Sequence, residues 1–179
     1  FSQKSDKISL RYSKKALKYL LGNYVNFVNS KNNINTFKMA TGANLSGKAI
    51  SISKTTAPHA LSYPFTAHFQ VPHGHAVSLT LNKFLMFNYD KMNNSDCNYN
   101  LKARFNELFK ITNTRNMNEL NKMIINLKKR AGLEQRFSKL NINLSRDFNK
   151  IISGVNLLRL SNNPVKINKE DIKFILNNY

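Results

Sequence analysis

The sequence predicts an all-α fold in a single domain over residues 1–179, and three observations carry this prediction. Apolar residues recur at helical spacing through most of the chain, and no segment alternates as a half-buried strand does. Neither a Gly/Ser-rich linker nor an internal repeat divides the chain. With 41% hydrophobic residues, the chain can also bury a substantial core.

Two helices are predicted before the first proline, over about residues 9–28 and 36–53, with the polar break NSKNNIN between them. The apolar stripe of the first helix consists of Leu17, Leu20, Leu21, Tyr24, Val25 and Val28. One face of the second helix consists of the small residues Ala40, Ala43, Gly47 and Ala49. Because small side chains let helix axes approach closely, we expect this second helix to be central and tightly packed.

All four histidines lie in the next stretch, APHALSYPFTAHFQVPHGHAVSLTL (57–81). A short helix around His59 should end before Pro64, because proline disfavours helical geometry in the preceding residue. We expect TAHFQVP to be a loop and a buried, apolar helix to run from His73 to about residue 89. The proline-bounded loop can then bring His59 and His73, which are 14 positions apart, to one cavity.

Two neutral imidazoles suit divalent metals such as Zn, Fe(II), Co or Ni. A catalytic tetrahedral site needs three or more protein ligands, however, and the histidine stretch contains no Asp, Glu or Cys. The spacing alone therefore leaves two interpretations open. His59 and His73 are either ligands of a metal or polar residues at a helix–loop–helix turn.

The second half of the chain is predicted to contain amphipathic helices over about residues 99–112 and 117–131. Gly132 is the expected C-cap of the latter helix. Ser145 is the expected N-cap of a further helix, and Asn168 that of the last helix.

The net charge of +19 raises the question of a polyanionic partner. The lysines are scattered among asparagines, and only KKR at 128–130 forms a tight cluster. This pattern favours a solvated surface shaped by codon bias, with a basic helical nucleic-acid-binding module as the alternative. No apolar run is long enough to span a membrane. The single cysteine, Cys97, fits a protein of the reducing cytoplasm.

The histidine stretch resembles the metal-ligand segment of the iron-containing (group III) alcohol dehydrogenases. The matching residues are His59, Pro64, Ala67, Pro72, His73 and Gly74, with Asn162, Asn163 and Pro164 in the C-terminal NNP motif. The start of the chain looks like the segment after the family's DAxxHAxE helix, so the resemblance covers essentially the whole chain. HALSYP followed by PHGHAV looks most like the phosphonoacetaldehyde reductase branch.

The resemblance implies the helical, dehydroquinate synthase-like C-terminal half of a two-domain enzyme. His59 and His73 would be two ligands of a divalent metal, Fe2+ or Zn2+, which acts as a Lewis acid toward an aldehyde or alcohol. The family's Rossmann-like half binds NAD(P)H, and this chain lacks the strand–Gly-rich–helix unit of such a half. We therefore expect a fragment that is inactive alone. A glycerol-dehydrogenase-like or dehydroquinate-synthase-like enzyme is the alternative within the superfamily, and homo-oligomers occur among relatives.

Further side chains near the two ligands receive roles from the same resemblance. Tyr63 stands where many relatives have a proton-relay histidine, so it is either a proton donor or an aromatic residue of the cavity wall. His75 would either bind an anionic, phosphonate-bearing substrate or support the site by hydrogen bonding. His68 is expected to be exposed or bonded within its loop, and Ser62 to be a hydroxyl at a helix end.

Overall fold

The computed structural model describes residues 1–30 and 32–178. Within this part of the chain the regular elements are nine helices and two 3-10 turns, with no β-strand, which confirms the predicted all-α fold. The helices are α1 (Lys7–Asn29), α2 (Asn33–Ser53), α3 (Ala57–Phe69), α4 (His73–Asp90), α5 (Leu101–Thr112), α6 (Met117–Arg130), α7 (Leu144–Ser153), α8 (Leu157–Leu160) and α9 (Lys169–Asn178). None of the described helices combines the length and apolarity needed to cross a bilayer.

Helices α1 and α2 pack against each other as a hairpin. The prediction that α2 is central was wrong, since Ala40, Ala43 and Gly47 are exposed. Gly42 is buried instead, and a Cβ atom there would lie 2.8 Å from side-chain atoms of Leu20. Small residues thus bring α2 close to one neighbour, but they do not place a helix inside the fold.

Helix α3 continues through Pro64 to Phe69, so the predicted helix end before Pro64 was wrong, and the loop predicted over 66–72 is confined to residues 70–72. Proline has no N–H to donate to the carbonyl of Ala60, four residues earlier. The backbone N–H of Asn156 donates to that carbonyl instead, over 3.4 Å. Gly154 permits the approach, because a Cβ atom there would lie 2.9 Å from Cβ of Pro64. A distant segment therefore compensates for the proline.

The hydrophobic core is built from α3 to α7, α9 and their connections, and no residue of α1 or α2 belongs to its buried cluster. Its largest side chains with almost no solvent exposure are Leu61, Phe65, Phe84, Phe105, Leu120, Ile142, Ile151 and Ile175. Helices α3 and α4 pack on each other within this core. Both histidine-bearing helices are therefore held by the best-packed part of the protein.

The predicted helix ends in the second half were partly correct. Gly132 follows α6 with a φ of 70°, and the side chain of Asn168 accepts a hydrogen bond from the N–H of Asp171, which confirms both caps. Ser145 is not the N-cap of α7. Asn143 takes that position, and its side chain accepts from the N–H of Ser145 itself.

The NNP motif of the tail fixes the connection between α2 and α3. The side-chain amide of Asn162 donates to the carbonyls of Ser53 and Thr55 at 3.0 and 2.9 Å. The amide of Asn163 donates to Oδ1 of Asn88 on α4 at 2.7 Å. The tail thus holds the segment that leads into α3 and its histidine.

Candidate metal centre

His59 and His73 lie side by side, as the sequence predicts from the proline-bounded connection. His59 is in the first turn of α3, and His73 is the first residue of α4. Their ring centres are 5.6 Å apart, with the ring planes at 60°. Two imidazoles that bind one ion with N–metal distances of about 2.0–2.1 Å have their ring centres within about 6 Å of each other. The pair therefore has the spacing that one metal ion requires.

Ser62 fixes the orientation of this pair. Its hydroxyl donates to the backbone carbonyl of His59 at 2.7 Å, and its oxygen lies 3.2 Å from Nδ1 of His73. A hydroxyl has one proton, so with that proton on the carbonyl the oxygen accepts from Nδ1–H of His73. This tautomer leaves Nε2 of His73 with a free lone pair. Histidines that bind a metal through one ring nitrogen usually donate the N–H of the other ring nitrogen in a hydrogen bond of this kind.

The surroundings of His59 favour its neutral form, which is the form that binds metals. Burial is the main cause that lowers the pKa of His59 to about 4, and the neighbouring His73 and Arg159 contribute to the same shift. At neutral pH the imidazole of His59 therefore carries no proton that a metal would have to displace. Neutral imidazoles suit borderline divalent cations, and binding of such a cation by this pair stays a prediction.

Tyr63 and Arg159 lie beside the histidine pair. The ring of Tyr63 is 6.0 Å from that of His73, and Cζ of Arg159 lies 5.5 Å from the centre of the Tyr63 ring. Nη1 of Arg159 donates to the hydroxyl of Thr55 at 2.5 Å. Tyr63 is 37% exposed, so its ring is accessible to a small molecule. A phenol, a guanidinium and two imidazoles thus share one region.

The other two histidines face different surroundings. Nε2 of His75 lies 2.6 Å from the carbonyl of Glu134, so it donates its proton there. His68 is exposed, as expected, although it lies on α3 and not in a loop. Substrate binding by His75 stays a prediction, as does the role of Tyr63.

A cavity of about 360 Å³ opens between the α1–α2 hairpin and the α3–α4 pair, and His59 forms part of its wall. Apolar side chains such as Leu17, Leu20, Leu81 and Phe84 line much of it. A mostly apolar cavity with a few polar groups is typical of small-molecule sites.

Metal binding by His59 and His73 stays a prediction, because the pair is not part of a larger ligand group in the described residues. Among them, no group of three or more His, Cys, Asp or Glu side chains is placed to hold an ion. In the sequence, no Asp or Glu stands between Asp6 and Asp90. The histidine pair therefore fits a metal as one part of a ligand set.

From the sequence, Ser62 was expected to be only a hydroxyl at a helix end, but it is buried within α3 and lies beside Nδ1 of His73. Arg159 was not identified from the sequence. The place of Ser62 in this region could have been predicted, because a residue three positions after His59 on the same helix lies on the same face. No sequence pattern indicated Arg159, because its position depends on how the tail folds back onto α3.

Comparisons with known proteins show which family this chain matches. Residues 1–179 match the Fe-containing alcohol dehydrogenase family, C-terminal. A phosphonoacetaldehyde reductase of Streptomyces viridochromogenes is 43% identical over 47 residues, which are 26% of this chain and 12% of that protein.

Solved structures share the fold over nearly the whole chain. Sulfoacetaldehyde reductase from Bifidobacterium kashiwanohense, solved in complex with NAD+, has a TM-score of 0.80 at 22% identity, covering 99% of this chain and 46% of that one. Alcohol dehydrogenase from Oenococcus oeni has a TM-score of 0.83 at 22% identity, covering 98% and 46%. The chain thus spans less than half the length of either protein. By its sequence match and its all-helical architecture, this chain belongs to the iron-containing alcohol dehydrogenase family and corresponds to that family's C-terminal domain.

Proposed function

We propose that this chain is the metal-binding half of a metal-dependent, NAD(P)H-linked alcohol dehydrogenase that works as an aldehyde reductase. The observation that carries the proposal is the His59–His73 pair, with its rings 5.6 Å apart and His73 oriented by Ser62. A nucleotide-binding half would be supplied by sequence outside residues 1–179, since the chain spans 46% of its structural relatives.

When bound, Fe2+ or Zn2+ supplies Lewis-acid polarisation of the aldehyde oxygen, and NAD(P)H supplies the hydride. Within this chain, His59 and His73 would hold the ion through two of its ligand positions. Ser62 would keep Nε2 of His73 directed to the site by holding the proton on Nδ1. The apolar cavity beside His59 would limit water around the reacting group.

Tyr63 is the side chain that we propose for proton delivery to the product oxygen. Its ring lies beside His73, and its exposure leaves the hydroxyl within reach of solvent. A general acid must lie within hydrogen-bond reach of the atom that it protonates, and Tyr63 flanks the position where an aldehyde would meet the metal.

The finer substrate that we propose is phosphonoacetaldehyde, supported by the 43% identity to the Streptomyces enzyme over 47 residues. Small aldehydes and alcohols are the wider class. The single cysteine fits a cytoplasmic enzyme. Nucleic acid is not a proposed partner, and homo-oligomer formation stays a prediction.

Metal analysis tests the ligand assignment. The longest natural chain that contains residues 1–179 is purified as wild type and as His59→Ala, His73→Ala, Ser62→Ala and His68→Ala. We expect both ligand variants to lose the bound metal, and Ser62→Ala to weaken metal affinity about 10- to 100-fold, as the loss of a supporting hydrogen bond does. His68→Ala is the matched control, because this exposed histidine lies on the same helix as His59.

Unchanged metal content in both His59→Ala and His73→Ala would refute the assignment. The activity is tested separately by following NADH and NADPH oxidation with phosphonoacetaldehyde, propanal and glyceraldehyde. Absence of reduction with every aldehyde and both cofactors would refute the proposed function even if the metal binds.

A further inference from the structure

Arg159 is a positive charge close to the histidine pair that the proposed chemistry does not use. Its guanidinium lies against one side of the Tyr63 ring, and His73 is a ring neighbour of the same tyrosine. Arg159 therefore stands one aromatic side chain away from the place where an aldehyde oxygen would bind.

Most N–H donors of the Arg159 guanidinium make no hydrogen bond within the described residues. A guanidinium has five N–H donors, and among the described residues the guanidinium of Arg159 has one hydrogen-bond partner, the hydroxyl of Thr55. Within residues 1–30 and 32–178, none of the ion pairs involves Arg159. The absence of Asp and Glu between Asp6 and Asp90 also means that helices α1 to α3 offer it no carboxylate.

The fold holds Arg159 in this place through the proline of α3. Because Pro64 leaves the carbonyl of Ala60 free, the N–H of Asn156 can bond to it, and the same Asn156 caps α8 by accepting from the N–H of Arg159. Gly154 allows this segment to approach Pro64. Helix α3 thus carries His59 and also positions the segment that presents Arg159.

A guanidinium with free donors beside a metal site is suited to a tetrahedral oxyanion, which it can bind with two parallel hydrogen bonds. Two relatives are named for aldehydes with such a group, phosphonoacetaldehyde and sulfoacetaldehyde. Building on the proposed function, we infer that Arg159 binds the anionic group of the substrate and selects short aldehydes that carry a phosphonate or sulfonate. Tyr63 then forms the wall between the reacting carbonyl and the anionic end.

The first test is a preference measurement on the natural chain that contains residues 1–179. Wild type, Arg159→Gln and Arg159→Lys are compared with phosphonoacetaldehyde, sulfoacetaldehyde and the neutral propanal. Gln keeps a donor for Thr55 without the charge, and Lys keeps the charge without the planar pair of donors. We expect kcat/KM for the anionic aldehydes to fall about 10- to 100-fold in Arg159→Gln, as the loss of a charged hydrogen bond predicts. Propanal should change less than about threefold, and Arg159→Lys should be intermediate.

A purely structural role for Arg159 would lower kcat/KM for all three aldehydes equally, and that result would overturn the inference. A change in the KM for NADPH but not in the aldehyde preference would assign Arg159 to the cofactor phosphate and would also overturn it. Loss of the preference in His75→Gln but not in Arg159→Gln would transfer the role to His75. Arg115→Gln, at an exposed arginine on the connection before α6, is the matched control.

The second test does not need turnover. Binding of phosphonoacetate is measured by calorimetry on wild type and Arg159→Gln, with propionate as the probe that lacks the phosphonate. We expect the dissociation constant for phosphonoacetate to rise at least about 10-fold in the variant. If no aldehyde is reduced but this difference persists, the proposed function fails and the anion site stands. Equal or absent binding in both proteins overturns the anion site.

Discussion

The α1–α2 hairpin and the α3–α4 pair are adjacent in the chain but are held in different ways. Helix α3 buries seven of its 13 residues, whereas α2 buries two of its 21. The hydrophobic core includes side chains of α3 and α4 and none of α1 or α2. The histidines, Ser62 and Tyr63 all lie on the buried pair, and the hairpin supplies a wall of the cavity. The candidate site residues thus lie mainly on the better-buried pair of helices, and the hairpin contributes to the cavity wall.

The largest expected difference between the two regions is in the free energy of unfolding that is lost when a phenylalanine is replaced by alanine. Phe65 on α3 is fully buried, so Phe65→Ala should lower the free energy of unfolding by about 3–5 kcal/mol. Phe37 on α2 is 72% exposed, and Phe37→Ala should cost less than about 0.5 kcal/mol. Urea titrations of both variants measure this. Similar losses in both would show that the hairpin is packed as firmly as the core.

A smaller effect is expected from Lys128 on α6, the first residue of the basic cluster. It is 6% exposed, it donates to Oδ1 of Asn82 on α4, and burial lowers its pKa to about 8, helped by the nearby charge of Lys83. Between pH 8 and the unfolded value of 10.5, the unfolded chain retains a proton that the folded chain has released, so stability should rise with pH. Over this window we expect a gain of roughly 2–3 kcal/mol.

Urea titrations at pH 7 and pH 10 measure this dependence. Lys128→Met should reduce the gain, and Lys38→Met, at an exposed position of α2, is the control. A pH dependence that is identical in wild type and Lys128→Met would contradict the buried-lysine interpretation.

The smallest expected difference in stability between the two regions concerns two Gly→Ala substitutions. Gly154→Ala should cost about 1–3 kcal/mol, because the new methyl group would lie 2.9 Å from Cβ of Pro64 on α3. Gly47 on α2 has nothing within 4 Å of an added Cβ, so Gly47→Ala should stabilise the protein by about 0.5–1 kcal/mol. Melting temperatures of the two variants should therefore move in opposite directions. A shift in the same direction would mean that α3 can move away from the tail without cost.

The sequence was sufficient for the all-α class, for most helix positions and for the convergence of His59 and His73, because these depend on local periodicity and on a short connection. It was not sufficient at Pro64, where the local rule predicts a helix end. The helix continues there because Asn156 and Gly154, far along the chain, satisfy the free carbonyl and leave room for the ring. A single-sequence pattern has no information on such a partner.

Two further differences have the same cause. The small face of α2 looked central because residue size was taken as a sign of burial, whereas burial depends on how many neighbours a helix acquires. Arg159 could not be assigned to the site because its position depends on contacts of the tail with α3. Ser62 could have been assigned from its spacing to His59, and only its bond to Nδ1 of His73 needed the structure.

The amide of Asn162 donates to the carbonyl of Thr55, 107 positions earlier, just ahead of the helix that carries His59 in its first turn. On the ribosome, this contact cannot form until Asn162 has been synthesised and has left the exit tunnel. The connection between α2 and α3 therefore gains this hydrogen bond only after 107 further residues have been added to the chain.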